Sequence, residues 1–231
     1  MGANFINDLR GIFFPTSCCC CGDVLLSSEN QICTACSLGL PFTYFSSEKD
    51  NSVENIFWGR VQIGAATALL YFSKKGGVQK ILHNIKYKDN KELAVFMGRQ
   101  LGAAIAESHR FDDVDFLVPV PLHSKKLKKR GYNQSEEIAK GVAQNFGRQL
   151  CANVLIRTEF TDTQTKKSRF NRWENVHDKF SLAEPDTFAG KHILIIDDVI
   201  TTGATLESCA NAVLQANAAK VSVAGLAFAG H

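Results

Sequence analysis

The sequence predicts an α/β protein: a doubly wound parallel sheet preceded by a small N-terminal zinc-binding module. Three observations predict it. Ile193-Leu194-Ile195-Ile196 is an unbroken apolar run, as in a strand buried on both faces of a parallel sheet. Strand-like runs alternate with segments of helical spacing from residue 61 to residue 228. Ahead of them, Cys18-x2-Cys21 and Cys33-x2-Cys36 form two knuckles eleven residues apart.

In chain order, 4–14 has amphipathic helical spacing through Phe5, Leu9, Ile12 and Phe13. Residues 15–41 hold the cysteines. A knuckle delivers two thiolates from one tight turn, and four protein ligands leave a metal no open position, so this Zn²⁺ folds the module rather than catalyses. Cys19 and Cys20 read as bystanders, with a register shift onto one of them as the alternative. Cys151 and Cys209 are isolated and suit a buried apolar role. Residues 42–60 are polar and mixed, and read as a linker. Strand material at 61–72 is followed by helical spacing over 78–88 and 91–108, the second with Leu93, Met97, Leu101, Ala104 and Ile105 as its stripe.

Phe116-Leu117-Val118 reads as a buried strand. Asn133 opens the next helix, with Glu136 as a capping-box-like partner and Ile138, Val142, Phe146 and Leu150 as its apolar face. A short strand at 154–157 precedes a long polar, basic loop at 158–178. The apolar strand at 193–196, a helix through Leu206, Ala210, Val213 and Leu214, and a last strand at 221–228 complete the alternation.

With 231 residues, 45% of them apolar, the chain can bury a full core plus a small module. A net charge of +3 does not by itself imply nucleic-acid binding. No apolar run approaches the ~18–20 residues that span a bilayer, so no membrane insertion is expected. The first sixteen residues lack a signal-peptide pattern, and Ile6 stands where myristoylation needs Ser or Thr, so the expected location is cytoplasmic. No P-loop and no G-x-G-x-x-G occurs, which removes two common nucleotide-binding fingerprints.

Two stretches carry the chemistry. Asp197 and Asp198 follow the apolar strand, and Thr201, Thr202, Gly203, Ala204 and Thr205 lead into a helix. A helix N-terminus offers orphan N–H donors and a positive dipole end to a phosphate, and Gly203 permits positive φ. Carboxylates for sugar hydroxyls beside a phosphate turn suit a ribose 5-phosphate; a simple Mg²⁺ site at the acidic pair is the alternative. The second stretch runs through Val118, Pro119, Val120 and Pro121 to five Lys or Arg residues within 125–130, then Arg130-Gly131-Tyr132-Asn133-Gln134. A charge run is usually only a solvated face; this one follows a strand's carboxyl end, where such folds bind ligands. Several cations in one place suit a pyrophosphate leaving group.

The segment from Ile193 to Thr205 resembles the phosphoribosyl-pyrophosphate signature of the type I phosphoribosyltransferases. Taken with the four-cysteine knuckle, Val-Pro-Val-Pro-Leu, Arg-Gly-Tyr-Asn-Gln, Lys86-Tyr87 and the basic loop holding Gln164, Arg172, Asn175 and Val176, the chain resembles the ComF family, competence-associated proteins of that superfamily. The four consecutive cysteines and Lys167 depart from the family pattern. The resemblance implies that Asp197 and Asp198 hold the ribose hydroxyls, directly or through Mg²⁺, and that residues 201–205 cradle the 5-phosphate. It implies a pyrophosphate loop at 118–122, with Arg130, Tyr132, Asn133, Gln134 and Arg172 lining or covering the site. It divides the chain into a zinc module (1–41), a linker with hood-like strands (42–75) and a phosphoribosyltransferase domain (76–231).

Two functions follow from the resemblance. One is Mg²⁺-dependent transfer of a phosphoribosyl group from phosphoribosyl pyrophosphate to an unidentified acceptor, in natural competence and DNA uptake, with no obvious general base in the sequence. The other is a non-catalytic adaptor, gated by the same ligand, that binds single-stranded DNA or a helicase-like translocase. For stacking of bases, Tyr132, Phe170 and Trp173 are the available aromatics.

Overall fold

A computed structural model describes residues 16–157 and 180–230. The expected helix at 4–14 and the loop at 158–178, with Gln164, Arg172 and the aromatics Phe170 and Trp173, lie outside the described residues.

Five parallel strands form the central sheet in the order β1-β7-β6-β2-β3. They are β1 (Ala66–Tyr71), β2 (Phe116–Pro119), β3 (Gln149–Leu150), β6 (His192–Ile200) and β7 (Lys220–Phe228). The apolar run sits in β6, flanked by β7 and β2, and each of Ile193, Leu194, Ile195 and Ile196 is fully buried. Successive strand side chains alternate between faces, and the two cores show it. Leu194 and Ile196 join a core with α3 (Gly77–Tyr87), α4 (Lys91–Ser108) and α6 (Gln134–Phe146). Ile193 and Ile195 join a second core with α7 (Ala204–Gln215). The doubly wound class read from the sequence is the observed one.

Packing of α4 on α6 places the site. A Cβ on Gly98 would lie 2.1 Å from the Ile138 carbonyl oxygen, and one on Gly141 would lie 2.2 Å from that of Val95. Only glycines allow this approach, and it fixes the N-terminus of α6 beside β6. The cysteine segment, with α1 (Thr34–Leu38), adds Cys18, Cys20, Ile32 and Leu40 to the same core as α3. Lys80 of α3 donates to the Cys20 carbonyl, and Asn84 donates to that of Cys19 at 3.5 Å.

Five local features depart from the expectations or go beyond them. Segment 42–60 is packed: it contains α2 (Ser52–Asn55), buries Phe45, Val53 and Phe57, and Asn51 donates to the Ala66 carbonyl at 2.9 Å. Its polarity misleads because its polar groups are the ones tied to the sheet edge. The basic run is a helix, α5 (Ser124–Arg130), with no buried residue, where lysines that pack against nothing still favour helix. Glu136 pairs with Lys140 at 3.2 Å, while Asn133 itself caps α6 by accepting from the Ser135 N–H. Leu150 belongs to β3, since α6 ends at Gly147 in left-handed conformation. The strand expected at 154–157 is β4 (Leu155–Arg157), which pairs antiparallel with β5 (Phe180–Leu182) outside the main sheet.

Candidate functional site

Strand β6 runs past the acidic pair to Ile200, and Thr201, Thr202 and Gly203 turn the chain into α7. Gly203 has φ +73°, a conformation that strains any side-chain-bearing residue. A Cβ there would also come within 3.0 Å of Ile56 and Phe57. The first bond within α7 runs from the Glu207 N–H to the Gly203 carbonyl, at 2.8 Å. The N–H groups of Ala204, Thr205 and Leu206 therefore have no partner within the helix. Thr201, Thr202 and Thr205 are exposed. With Asp197, residues 199–206 line a pocket of about 40 Å³, room for a group the size of a few waters.

The two carboxylates have different surroundings. Asp197 lines that pocket; its Oδ1 accepts from the Ser135 hydroxyl at 3.0 Å and the Asp198 N–H at 2.8 Å. Burial, then the neighbouring Asp198 charge, pushes its carboxyl up to about 7, against the pull of Ser135 and Lys86. Asp198, one residue on, pairs with Lys86 at the end of α3, 3.1 Å away. A strand's alternation thus sends neighbouring acids to different partners.

Beside Lys86, Tyr87 stands exposed with the Arg130 guanidinium 5.4 Å from its ring centre. This contact brings the end of the basic helix α5 to the Lys86–Asp198 pair. The expected pyrophosphate loop offers few backbone donors. Pro119 and Pro121 have no N–H, and that of Val120 donates to the Ile196 carbonyl at 2.9 Å. Val118 is buried in the sheet. The side-chain donors near this loop are the cations Lys86 and Arg130.

Of three further expected site residues, Tyr132 and Asn133 make structural side-chain bonds and, among the described residues, Gln134 does not. Tyr132 is buried, and its hydroxyl donates to the Ile85 carbonyl; burial pushes its phenol up to about 12. Asn133 donates from Nδ2 to the Val120 carbonyl at 3.0 Å, tying the loop after β2 to α6. Gln134 is 1% exposed, and its Nε2 has no hydrogen-bond partner among the described residues.

The sulfurs of Cys18, Cys21, Cys33 and Cys36 lie within 4.8 Å of one another. Cys21 and Cys33 are 3.7 Å apart, and a zinc tetrahedron with bonds of ~2.3 Å has edges of about 3.8 Å. Burial raises the Cys18 thiol, but backbone N–H groups of Cys21, Cys33 and Cys20 outweigh it and draw the thiol down to about 6. Donor type, number and spacing fit zinc. Cys19 and Cys20 stand outside the cluster, as expected of bystanders. Among the described residues, no helix is long and apolar enough to cross a membrane.

Sequence reasoning gave no role to three residues that complete the site: Lys86, Ser135 and Arg60. Lys86 was visible only as part of a family pattern, and Ser135 as a residue of a helix start. Arg60 lay in a segment read as a linker, where nothing in the sequence pointed to it. It donates to the Thr202 carbonyl at 2.7 Å and the Ile56 carbonyl at 3.0 Å, and pairs with Glu207.

Residues 133–231 match the phosphoribosyl transferase domain family. The chain is 31% identical over 146 residues to the DNA utilization protein YhgH of Escherichia coli, covering 62% of this chain. That match spans 63% of the YhgH length. Over 233 residues it is 23% identical to competence protein F of Haemophilus influenzae, covering 94% of this chain and 99% of that one. A solved glutamine phosphoribosylpyrophosphate amidotransferase from B. subtilis aligns at 21% identity and a TM-score of 0.46, over 63% of this chain and 30% of that one. The resemblance to ComF proteins drawn from the motifs agrees with the matches to competence protein F and YhgH.

Proposed function

We propose, for a chain related to competence protein F and carrying a phosphoribosyl transferase domain, that it binds phosphoribosyl pyrophosphate with Mg²⁺ and transfers the phosphoribosyl group to an acceptor, in the service of DNA uptake or utilisation. One observation carries the reading: a carboxylate and a helix start with unpaired N–H groups line the same small pocket. Residues 201–205 hold the 5-phosphate through N–H and hydroxyl donors. Asp197 and Asp198 take the ribose hydroxyls. Lys86, paired with Asp198, and Arg130, over the ring of Tyr87, face the pyrophosphate.

The acidic pair is an all-oxygen donor set of the kind Mg²⁺ prefers, and these two carboxylates would hold it. Bound there, the ion would neutralise charge on the leaving group. In the transfer, the bond from ribose C1 to the pyrophosphate oxygen breaks, pyrophosphate leaves with the electron pair, and the acceptor's nucleophile bonds to C1. The chain's own residues position the ends of the substrate and stabilise charge.

The test is pyrophosphate release with phosphoribosyl pyrophosphate, Mg²⁺ and a panel of acceptors, beside direct measurement of binding. Binding with release supports transfer. Asp197→Asn with Asp198→Asn is expected to abolish both, and wild-type protein that binds no phosphoribosyl pyrophosphate would sink the reading.

A second reading, the ligand-gated adaptor, is favoured by α5: five cations on a helix with no buried residue, next to exposed Tyr87. Binding without release for any acceptor, together with single-stranded DNA affinity that falls steeply with salt, supports it.

A further inference from the structure

We propose that Arg60 is a positioning residue for the 5-phosphate, acting from outside the phosphate turn; this rests on the phosphate-turn reading above. Three contacts define its task. Nη1 accepts nothing and donates twice, to the carbonyls of Ile56 and Thr202, at 3.0 and 2.7 Å. Nη2 is paired with the Glu207 carboxylate. Neither side chain is fully exposed, at 35% and 23%, so solvent screens the pair only in part.

The first consequence is geometric. In a trans peptide, C=O and N–H point in opposite directions. Drawing the Thr202 carbonyl toward Arg60 aims the Gly203 N–H away from segment 56–60, the side already filled by Ile56 and Phe57 against Gly203. The donors of the turn are thereby set facing the side left for an anion.

The second consequence is electrostatic. Glu207 lies in the first turn of α7, where a carboxylate favours the helix. The same charge opposes a phosphate dianion at the same N-terminus. Arg60 cancels that charge, so the helix keeps its carboxylate while the turn stays attractive to an anion. Glu207 without Arg60 would make this a poor phosphate site.

Titration calorimetry with ribose 5-phosphate and with phosphoribosyl pyrophosphate plus Mg²⁺ tests this, on wild type, Arg60→Met, Arg60→Lys, Glu207→Gln and the Arg60→Met/Glu207→Gln double variant. Arg60→Met is expected to weaken both ligands about tenfold or more, or about 1.4 kcal/mol. The double variant is expected to regain at least threefold of that loss. Glu207→Gln alone is expected to tighten binding, because it frees the guanidinium charge. Arg60→Lys is expected to fall between wild type and Arg60→Met, keeping the charge but losing the forked contact.

A purely structural prop gives another pattern, which would overturn the proposal: a double variant no better than Arg60→Met, with affinity loss tracking a lower melting temperature in both. Arg60→Met binding like wild type overturns it also. Wild type that binds neither ligand removes the phosphate turn itself, a result set apart from the others because it appears before any substitution.

Discussion

The cysteine cluster and the phosphate turn both suit a charged ligand, yet they are assembled in opposite ways. All four sulfurs come from residues 18–36, from two turns closed by local backbone bonds such as Gly22 N–H to the Cys18 carbonyl, at 2.9 Å. The phosphate turn is local only in its donors. Its shape and charge balance come from Ile56, Phe57 and Arg60, and its acidic neighbours are held by Ser135 and Lys86. A site made of ligands near in sequence can leave its geometry to the metal. A site made of backbone N–H groups must be built by the fold before the ligand arrives.

That contrast can be broken most heavily at the cysteines. Stripping metal from the full chain with a chelator, or replacing Cys33 by Ser, is expected to remove one zinc per chain. Structural zinc contributes roughly 10–16 kcal/mol of apparent binding energy in finger peptides. Hydrogen exchange is expected to show residues 16–40 losing protection while β6 keeps its own. Because Cys18, Cys20, Ile32 and Leu40 share a core with α3, α3 should loosen as well. Unchanged exchange in α3 would make the module independent and sharpen the contrast further.

A smaller effect is expected at the turn itself. Gly203→Ala puts a side chain at φ +73° and within 3.0 Å of Ile56 and Phe57. The left-handed conformation alone costs about 1–2 kcal/mol, a drop of a few degrees in Tm for a chain of this size. Affinity for ribose 5-phosphate should fall with it. Full stability and affinity in this variant would mean that the turn is not preformed.

The smallest effect is expected at Tyr132, which the sequence places at the site and the structure places in the core. Tyr132→Phe removes the hydrogen bond to the Ile85 carbonyl and should cost about 1 kcal/mol in denaturant unfolding. Phosphoribosyl pyrophosphate affinity changing by less than twofold fits a core role. A tenfold loss would move Tyr132 back among the ligand contacts.

How much was legible follows the same division. Cys18, Cys21, Cys33 and Cys36 could be read from spacing because a knuckle is a property of a few consecutive residues. Gly203 could be read because glycine adopts a positive φ, here +73°, without strain. The burial of Tyr132 was not legible, because sequence proximity to Arg130 says nothing about where a ring turns; its hydroxyl bonds to the Ile85 carbonyl of α3. Segment 42–60 was misread because buried polar groups, Asn51 and Glu54 among them, lower apparent hydrophobicity while making bonds to the edge of β1.

By itself, the sequence determined the parallel α/β class, the four cysteines that cluster and the glycine turn that follows β6. These depend on periodicity, spacing and local backbone conformation, which a linear order of residues encodes. Only the tertiary structure decided that Asp197 and Asp198 are unequal, that Lys86 and Ser135 are their partners, and that Arg60 braces the turn. Those facts are distances between residues far apart in the chain. They are set by which helix packs on which face of β6, and by how closely Gly98 and Gly141 let α4 and α6 approach.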